Sequence, residues 1–359
     1  MSDWQQIIRD QSIATLEKLA DKFGHDVIDV EGLKPAFDNF QMRITPAALE
    51  QIKEVGDPMW NQYIPTVEEL HVVDGVIDSL DEDGDSPVPN ITHRYPDRAL
   101  FLVSPVCATY CRFCTRRRKV GDPEKIPLNQ YESAFQYLRE HTEIRDVILS
   151  GGDPMMLSDR RLEYLFQQLR AIPHIEIIRI GSRITSHLPE RITPEFCEMV
   201  QKYHPIFMNT HFNHPSELTP AAVASLDRLS KAGVSLGCQT VLLKGVNDDP
   251  KVMMKLMHEL LKARVRPYYI FMADQVAGGE HFRTTVQKGL EIMQALRGWT
   301  SGLAVPQFVI DSPGGGGKVP LLPEYLESIT DDEVVFRNYE GKRFVYKQPR
   351  PAPSAPAEV

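Results

Sequence analysis

Three of the chain's five cysteines, Cys107, Cys111 and Cys114, lie within eight positions of one another. They belong to the run Cys-Ala-Thr-Tyr-Cys-Arg-Phe-Cys, which comes just after an apolar segment. Three thiolates on one short loop can bind three irons of a four-iron cluster, whereas a closed cluster takes four thiolates. The fourth iron would then be open to a small molecule. The spacing therefore predicts an iron–sulfur cluster that is also a reaction site.

Two other uses of these cysteines have to be weighed. A zinc site would need a fourth ligand, for which the candidates are His187, His204, His211 and His214. Zinc sites usually pair cysteines across a two-residue gap, whereas here a three-residue gap comes first and no second pair exists. Disulfides are disfavoured because five is an odd number, the chain is long, and the first residues lack the pattern of a secretory signal.

A glycine run that ends in a lysine, Pro313-Gly-Gly-Gly-Gly-Lys318, is the second chemical signal. It does not fit a phosphate-binding P-loop, because Ser312 replaces the first glycine and Val319 replaces the final Ser or Thr. Glycine lets the backbone approach a ligand closely. A desolvated pocket also lowers a lysine pKa enough for the neutral amine to attack an aldehyde. Lys318 is therefore a candidate for a Schiff base, and a glycine hinge with an exposed lysine is the alternative.

From Ala99 onward, short β-rich runs alternate with helical stretches. The predicted strands are Ala99 to Ser104, Val147 to Ser150, Ile175 to Ile180, Ile206 to Thr210, Val234 to Leu243, Pro267 to Met272 and Phe308 to Ile310. The predicted helices between them are Gln130 to Glu140, Asp159 to Ala171, Pro194 to Lys202, Pro220 to Ala232, Val252 to Ala263 and Val286 to Arg297. Repeated βα units build a parallel sheet covered by helices, and six or more curl toward a barrel. We therefore expect an α/β fold, a partial (β/α)6-type barrel with a helical N-terminal region.

The chain is expected to divide into three parts. Residues 1–96 form a helical accessory region, with amphipathic helices at Ser12 to Phe23 and Pro46 to Glu54 and an acidic loop that begins at Asp81. Residues 97–325 form the barrel, and residues 326–359 form a C-terminal segment with a disordered Pro/Ala tail from Pro349 onward.

Polar clusters follow several of the predicted strands, at the C-terminal ends where catalytic residues of such barrels gather. They are Cys107, Ser150-Gly-Gly-Asp-Pro154, Ser182-Arg183, His211-Phe-Asn-His214 and Asp274. We therefore expect them to share one site.

The composition is that of an ordinary soluble protein, with 42% apolar and 25% charged residues and a formal net charge of −9. An acidic excess disfavours nucleic acid as a partner, because binding to its backbone needs a basic surface. The one dense basic run, Arg116 to Lys119, can be a solvated face, a nucleic-acid patch or an anion site next to the last cysteine. No apolar stretch approaches the roughly 20 residues that span a bilayer. We expect a cytoplasmic protein without a membrane or nucleic-acid partner.

The cysteine loop is followed one βα unit later by Ser150-Gly151-Gly152-Asp153-Pro154, and together they resemble the radical S-adenosylmethionine superfamily. Two glycines and a proline at a strand end are often only a turn, but the pairing with the cysteines favours a binding role. The resemblance implies a 4Fe-4S cluster and a barrel of the radical S-adenosylmethionine kind. It also implies that the glycine-rich strand end contacts the amino group of S-adenosyl-L-methionine.

Further motifs make the chain similar to the lysine 2,3-aminomutase family from about residue 10 to residue 340. They are His93-Arg-Tyr-Pro-Asp-Arg98, Cys107 to Arg118, Ser150 to Pro154, Asn209-Thr-His-Phe-Asn-His-Pro215, Gln239-Thr-Val-Leu-Leu243, Glu280-His-Phe-Arg-Thr284 and Asp311 to Lys318. The resemblance implies that Lys318 forms a Schiff base with pyridoxal 5′-phosphate, whose phosphate is held by Tyr95 and Arg98.

The same resemblance assigns residues to the substrate. Arg116 matches the arginine that binds the substrate carboxylate, which a guanidinium meets bidentately. Asp274 and Asp311 match the two aspartates that receive the distal ammonium of lysine, whereas related glutamate 2,3-aminomutases have a lysine and an asparagine there. The two aspartates could instead cap local loops, and an arginine-type substrate would also satisfy them.

Two further matches lie near the adenosyl moiety and the barrel floor. These are Gln239 and His211, and His211 can equally be a core histidine with a satisfied ring.

The activity implied is that of an isomerase, L-lysine 2,3-aminomutase, which moves the α-amino group of a small-molecule amino acid to the β carbon by radical chemistry. An electron donor (a reductase, a flavodoxin or a ferredoxin) and a homo-oligomer are implied as partners. Zinc is not expected, because Asp249 stands where zinc-binding relatives have a cysteine and no cysteine follows Cys238.

Three alternatives remain. They are a 2,3-aminomutase for another cationic amino acid such as arginine, a lysine isomerase that serves elongation-factor modification, and an iron–sulfur regulator without turnover. The regulator is disfavoured because it needs neither a Schiff-base lysine nor a carboxylate clamp.

Overall fold

The computed structural model describes residues 3–349. Its helices are α1 Asp3–Asp10, α2 Leu16–Phe23, α3 Val30–Asn39, α4 Pro46–Leu49, α5 Pro58–Tyr63, α6 Tyr131–Glu140, α7 Asp159–Arg170, α8 Ile184–His187, α9 Pro194–Val200, α10 Pro220–Lys231, α11 Pro250–Lys262 and α12 Val286–Leu296. Its strands are β1 Ile91–Tyr95, β2 Arg98–Ser104, β3 Asp146–Gly151, β4 Ile177–Ser182, β5 Ile206–His211, β6 Ser235–Leu242, β7 Arg266–Met272, β8 Gln307–Ser312, β9 Gly317–Pro320, β10 Leu326–Ile329, β11 Glu333–Arg337 and β12 Arg343–Lys347. Beyond Pro349, the predicted Pro/Ala tail lies outside the described residues.

A nine-stranded sheet in the order β1 to β9 forms the body of the molecule. Strands β2 to β8 pair in parallel, and β1 and β9 pair antiparallel at the two edges. Helices α6, α7, α9, α10, α11 and α12 connect successive parallel strands. Because β2 and β8 do not pair with each other, the barrel is open on one side. The partial (β/α)6-type barrel expected from the sequence is confirmed.

The helix starts show why the βα units form where they do. Helices α9, α10 and α11 each begin with proline after a capping residue, and the caps are Thr193, Thr219 and Asp249. Each cap side chain accepts a hydrogen bond from a backbone N–H of the first turn, and proline suits the first helical position. In this chain Asp249 thus has a structural use, since it caps α11. The helices then bury one apolar face against the sheet.

The N-terminal helices α2 to α5 surround a small apolar core of their own, which includes Leu19, Ile44, Trp60 and Tyr63. The predicted helix from Ser12 begins at Leu16, where Thr15 caps it. The predicted helix Pro46 to Glu54 is wrong beyond Leu49. The helix does not continue because the Lys53 and Glu54 N–H groups donate to the Asp57 carboxylate (2.7 and 3.5 Å) and not to the carbonyls four residues before them.

Residues 67–86, which we call the strap, connect this region to the mouth of the barrel. Val76 pairs with Val276 after β7, and the Ser79 carbonyl accepts from the Gly314 N–H (3.2 Å) in the glycine run. The Glu280 carboxylate accepts from the Gly75 N–H (3.0 Å). The strap is therefore fixed to two of the loops that carry predicted site residues.

Five strands were missed by the sequence-based prediction. Strands β1 and β9 are the short antiparallel edges of the large sheet, and β10 to β12 form a separate three-stranded antiparallel sheet in the C-terminal segment. Most side chains of β10 and β12 are exposed, so these strands lack the strict alternation of apolar and polar residues that marks a half-buried strand. Between residues 3 and 349 no helix has the length and apolar character needed to cross a membrane.

Candidate active site

A cavity of about 390 Å³ opens at the C-terminal ends of the parallel strands. All the site residues predicted from the sequence line it: Tyr95, Arg98, Cys107, Cys111, Cys114, Arg116, Ser150, Gly151, Gly152, Asp153, His211, Gln239, Asp274, Asp311 and Lys318. They come from eight of the nine strands of the sheet or from the loops that follow them. The fold thus brings the predicted residues together in one place.

The three cysteines line the cavity next to a buried arginine. Arg183 Nη1 lies 2.8 Å from Cys111 Sγ, and burial raises the pKa of the Cys107, Cys111 and Cys114 thiols. Within residues 3–349 no three His, Cys, Asp or Glu side chains converge on a single metal ion. In a four-iron cluster each thiolate binds a different iron, so the sulfurs need not converge. The donor set therefore fits a cluster held by three thiolates.

The cysteine loop is held in place by a glutamate of the strap that sequence reasoning missed. Glu69 is fully buried and binds Arg112, which lies between the second and third cysteines, through both carboxylate oxygens (2.9 and 2.7 Å). It also binds Arg117 (2.9 Å). Glu69 and its neighbour Glu68 look alike in the sequence. They differ only in the folded structure, where Glu69 is buried and Glu68 is exposed.

The glycines after β3 allow one backbone to pack directly on another. The Gly152 N–H donates to the Ser104 carbonyl (2.6 Å), and a Cβ on Gly151 would lie 2.3 Å from the same oxygen. Gly151 also has a φ of 126°, which favours glycine. This contact places the loop against the segment that leads into Cys107. Any residue other than glycine would separate the two loops.

The Asp153 side chain joins the ends of β3 and β4. Its carboxylate accepts from Ser182 Oγ (2.7 Å), from the Arg183 N–H (3.0 Å) and from the Met155 N–H (2.9 Å). Asp153 is buried, and burial raises its pKa despite these donors. The geometry gives this residue a positioning task within the loop.

Lys318 lies on β9 directly opposite Asp311 on β8. Its Nζ is 3.1 Å from Asp311 Oδ1, and its backbone N–H donates to Tyr95 Oη (2.9 Å). The Arg98 guanidinium stacks on the Tyr95 ring at 4.0 Å. Lysine, tyrosine and arginine therefore form a continuous group at one wall of the cavity.

Two carboxylates lie close to this lysine. Burial, and next the negative charge of Asp311, raise the pKa of Asp274 to about 7, although Lys318 and Arg116 oppose the shift. A smaller cavity of about 200 Å³ adjoins the two aspartates. The pair can receive a cation, because an added positive charge relieves the repulsion between the two acids.

Arg116 is paired with another strap residue that was not predicted. Its Nε and Nη2 both lie 2.7 Å from Glu82 Oε1, and its Nη1 donates to Ser150 Oγ (3.2 Å). The signal that could have found Glu82 is the opposite charge of the acidic loop from Asp81 and the basic run from Arg116.

Arg183 connects the cysteine loop to the segment that follows β5. Besides Cys111, it contacts the fully buried Glu217 (2.7 Å). Burial, and next the charge of Arg183, lower the pKa of His187 and His211 well below the ordinary histidine value. His211 Nε2 lies 2.9 Å from Asn213 Oδ1. The histidine thus lines the cavity and also has a satisfied ring nitrogen.

Comparison with known proteins identifies the class first. The Radical SAM superfamily matches residues 101–257 of the chain, and this range contains the cysteine loop and most of the parallel strands. A second family, described as Lysine-2,3-aminomutase, matches residues 293–358.

Curated relatives narrow the class to a family. The chain is 50% identical to the L-lysine 2,3-aminomutase of Fusobacterium nucleatum, with 96% of this chain and 82% of that protein covered. It is 48% identical to the L-lysine 2,3-aminomutase of Clostridium subterminale (97% and 84% covered) and 44% identical to the glutamate 2,3-aminomutase of Clostridioides difficile (94% and 80% covered). The chain belongs to the lysine 2,3-aminomutase family of radical S-adenosylmethionine enzymes.

Membership defines the enzyme class and the cofactors. The protein is an isomerase that uses a 4Fe-4S cluster, S-adenosyl-L-methionine and pyridoxal phosphate, and its substrate is a small molecule. The residues present fit these groups, since the cavity holds three thiols on one loop and a lysine next to a stacked tyrosine and arginine.

Proposed function

We propose that the protein converts L-lysine to β-lysine, as a 2,3-aminomutase. The observation that carries this proposal is the distribution of charge in the cavity. Arg116 supplies a cationic group, and Asp274 and Asp311 supply two acidic groups beside Lys318. An amino acid with a carboxylate at one end and an ammonium at the other matches this arrangement.

The glutamate relative defines the main competitor. Its substrate would place a carboxylate at the distal end, next to two acids and with no matched cation. Desolvated like charges repel each other strongly, so lysine is favoured over glutamate. Arginine also carries a distal cation and is the second candidate, because the cavity adjoining the aspartates can hold a longer side chain.

The roles of the residues follow from their positions. When bound, the cluster and S-adenosyl-L-methionine supply a 5′-deoxyadenosyl radical, and pyridoxal phosphate supplies a conjugated ring that stabilises an adjacent radical. We assign the cluster to the cysteine loop and S-adenosyl-L-methionine to residues at the strand ends. These residues are Cys107, Cys111 and Cys114 for the cluster, and Ser150, Gly151, Gly152, Asp153, His211 and Gln239 for S-adenosyl-L-methionine.

Lys318, Tyr95 and Arg98 are assigned to pyridoxal phosphate: Lys318 would hold its aldehyde end, and Tyr95 and Arg98 would hold its phosphate. In the free protein, Asp311 pairs with Lys318. With the cofactor held by Lys318, Asp311 would no longer have that ammonium as its partner. It can then receive the distal ammonium of the substrate, together with Asp274. One ion pair thus replaces another, which limits the cost of burying the acids.

Two partners complete the proposal. The cluster needs one electron to start the reaction, for which a reductase, flavodoxin or ferredoxin is the proposed donor. We also propose a homo-oligomer, on the resemblance to the family alone.

A substrate panel tests the function. The anaerobically reconstituted enzyme is incubated with a reductant, S-adenosyl-L-methionine and either lysine, arginine or glutamate, and the α and β isomers are separated. We expect β-lysine as the main product. β-Glutamate as the main product would overturn the role given to Asp274 and Asp311, and β-arginine as the main product would favour the second candidate.

The lysine assignment has its own test. After reconstitution with pyridoxal phosphate and borohydride reduction, peptide mapping is expected to find the label on Lys318, because reduction traps a Schiff base. Lys318→Ala should lose the label and the visible absorption of the cofactor. Lys244→Ala, which changes a lysine outside the cavity lining, is the matched control and should keep both. Retention of the absorption in Lys318→Ala would contradict the assignment.

A further inference from the structure

The strap residues Asp78, Glu82 and Asp83 form ion pairs with the basic run from Arg116 to Lys119. The carboxylate of Glu82 is the most buried of the three. Arg118 pairs with Asp78 and Asp83 (2.6 and 2.7 Å), and Lys119 pairs with Asp83 (2.8 Å), whose side chain is 64% exposed. The Glu82 side chain is only 8% exposed and lines the cavity. Surface pairs contribute little, so Asp83 serves as a comparison for Glu82.

The contacts of Arg116 occupy one edge of its guanidinium fully and the other edge only in part. Glu82 Oε1 occupies the Nε/Nη2 edge, with 2.7 Å to each nitrogen. A guanidinium has a second bidentate edge, formed by Nη1 and Nη2. Nη1 contacts Ser150 Oγ at 3.2 Å, at the cavity wall. The second edge therefore lies on the side where a carboxylate can bind.

Glu82 is itself held firmly in place. Its N–H donates to Asp78 Oδ1 (3.1 Å), and its carbonyl accepts from Ser86 Oγ (2.6 Å). A carboxylate on an anchored backbone can orient the long arginine side chain before substrate arrives, so that less conformational entropy is lost on binding. It also balances the charge of Arg116 while the site is empty.

We propose that Glu82 is a positioning residue that orients Arg116 toward the α-carboxylate of the amino-acid substrate. This inference rests on the proposed function, which assigns Arg116 to that carboxylate. It extends the function by giving the strap a part in substrate recognition, through an ion pair between residues 34 positions apart in the sequence.

The test compares two ligands that differ only in the carboxylate. Binding of L-lysine and of 1,5-diaminopentane, which has the same chain and amines but no carboxylate, is measured from the absorption change of the pyridoxal-phosphate-loaded enzyme. In Glu82→Ala we expect lysine to bind about tenfold more weakly, because Arg116 would be less well oriented for its hydrogen bonds to the lysine carboxylate. Binding of 1,5-diaminopentane should be unaffected, because this ligand has no carboxylate. Glu82→Gln, which keeps an acceptor, should recover part of the loss, and Asp83→Asn should match the wild type.

Three results would overturn the inference: no change in either affinity, an equal weakening of both ligands, or tighter binding of lysine. The second would mean that Glu82 only supports the fold, and the third that it competes with the substrate carboxylate. Arg116→Gln separates this inference from the proposed function. If Arg116→Gln removes the preference for lysine and Glu82→Ala does not, the inference alone fails. If neither variant changes the preference, the carboxylate assignment of Arg116 fails as well.

Discussion

Asp274 has the environment of a group that can sense the charge of its ligand. It is half-buried beside Asp311. Desolvation and the charge of Asp311 raise its pKa to about 7, while Lys318 and Arg116 limit the rise. An isolated aspartate ionises near pH 3.9. The empty site therefore takes up a proton near neutral pH, whereas a bound ammonium favours the ionised carboxylate.

The affinity for lysine is expected to depend on pH through this residue. Above pH 7 Asp274 is ionised and can receive the ammonium. Below pH 7 Asp274 is protonated in the free enzyme, and it has to lose that proton before it can bind the ammonium. KM should therefore rise by up to about tenfold for each pH unit below 7. Measurement of KM for lysine between pH 6 and 9 checks this. Asp274→Asn should have a high KM with a much weaker dependence on pH, and a wild-type KM that is constant over the range would contradict the assignment.

At the residue scale, the sequence predicted the identities of the cavity residues but not the partners that orient them. The motifs supplied Cys107, Arg116 and Lys318. Glu82 and Glu69 have no motif, because their function arises from burial against arginines distant in the chain. A contact of that kind depends on tertiary packing, which no local pattern encodes.

At the element scale, the loop after β3 depends on glycine for its close contact with the segment before the cysteines. A Cβ on Gly151 would lie 2.3 Å from the Ser104 oxygen, and a Cβ on Gly152 would lie 2.5 Å from the Val106 oxygen. Gly181 lines the same cavity at the end of β4, but its Cβ would meet nothing closer than 3.7 Å. All three positions are glycines, but only Gly181 has room for a Cβ.

We predict that Gly151→Ala lowers the free energy of unfolding by about 1–3 kcal/mol and weakens binding of S-adenosyl-L-methionine, because the strained backbone has to move. Gly181→Ala should change stability by less than about 1 kcal/mol and leave binding intact. Urea denaturation and equilibrium dialysis on the reconstituted proteins provide the two measurements. Equal effects at both positions would show that the close backbone contact has no role in binding.

The elements that were predicted and those that were missed differ in how they are stabilised. The strands from β2 to β8 have apolar runs that mark buried parallel strands, and the helices between them have the period of an amphipathic helix. Strand β9 begins in the glycine run, whose intrinsic strand preference is poor. It forms because it pairs with β8, where Lys318 meets Asp311. Its existence is a result of the sheet edge, not of local sequence.

At the scale of the whole molecule, the strap joins the N-terminal region to the catalytic loops. Glu69 binds Arg112 and Arg117 on the cysteine loop, and Glu82 binds Arg116 on the same loop. The strap also contacts the glycine run through the carbonyl of Ser79. The N-terminal region is therefore part of the machinery that shapes the site.

We predict that Glu69→Gln destabilises the protein by about 3–5 kcal/mol, because removal of one partner leaves buried arginine charge uncompensated. It should also lower the iron content after reconstitution, since the cysteine loop loses its support. The control Glu68→Gln, at the exposed neighbouring position, should change stability by no more than about 0.5 kcal/mol. Chemical denaturation and iron analysis check both variants, and similar results for the two would contradict the role of Glu69.

The sequence by itself determined the reaction groups and the order of the βα units, because short motifs and periodic burial are local properties of the chain. Spacing placed three thiolates on one loop, and glycine gave access to Lys318. The tertiary structure alone decided how these groups are oriented and charged. The ion pairs of Arg116, the proximity of Asp274 to Asp311 and the edge strand that carries Lys318 all join residues far apart in sequence. Their energies depend on burial and distance, which exist only once the barrel and the strap have packed together.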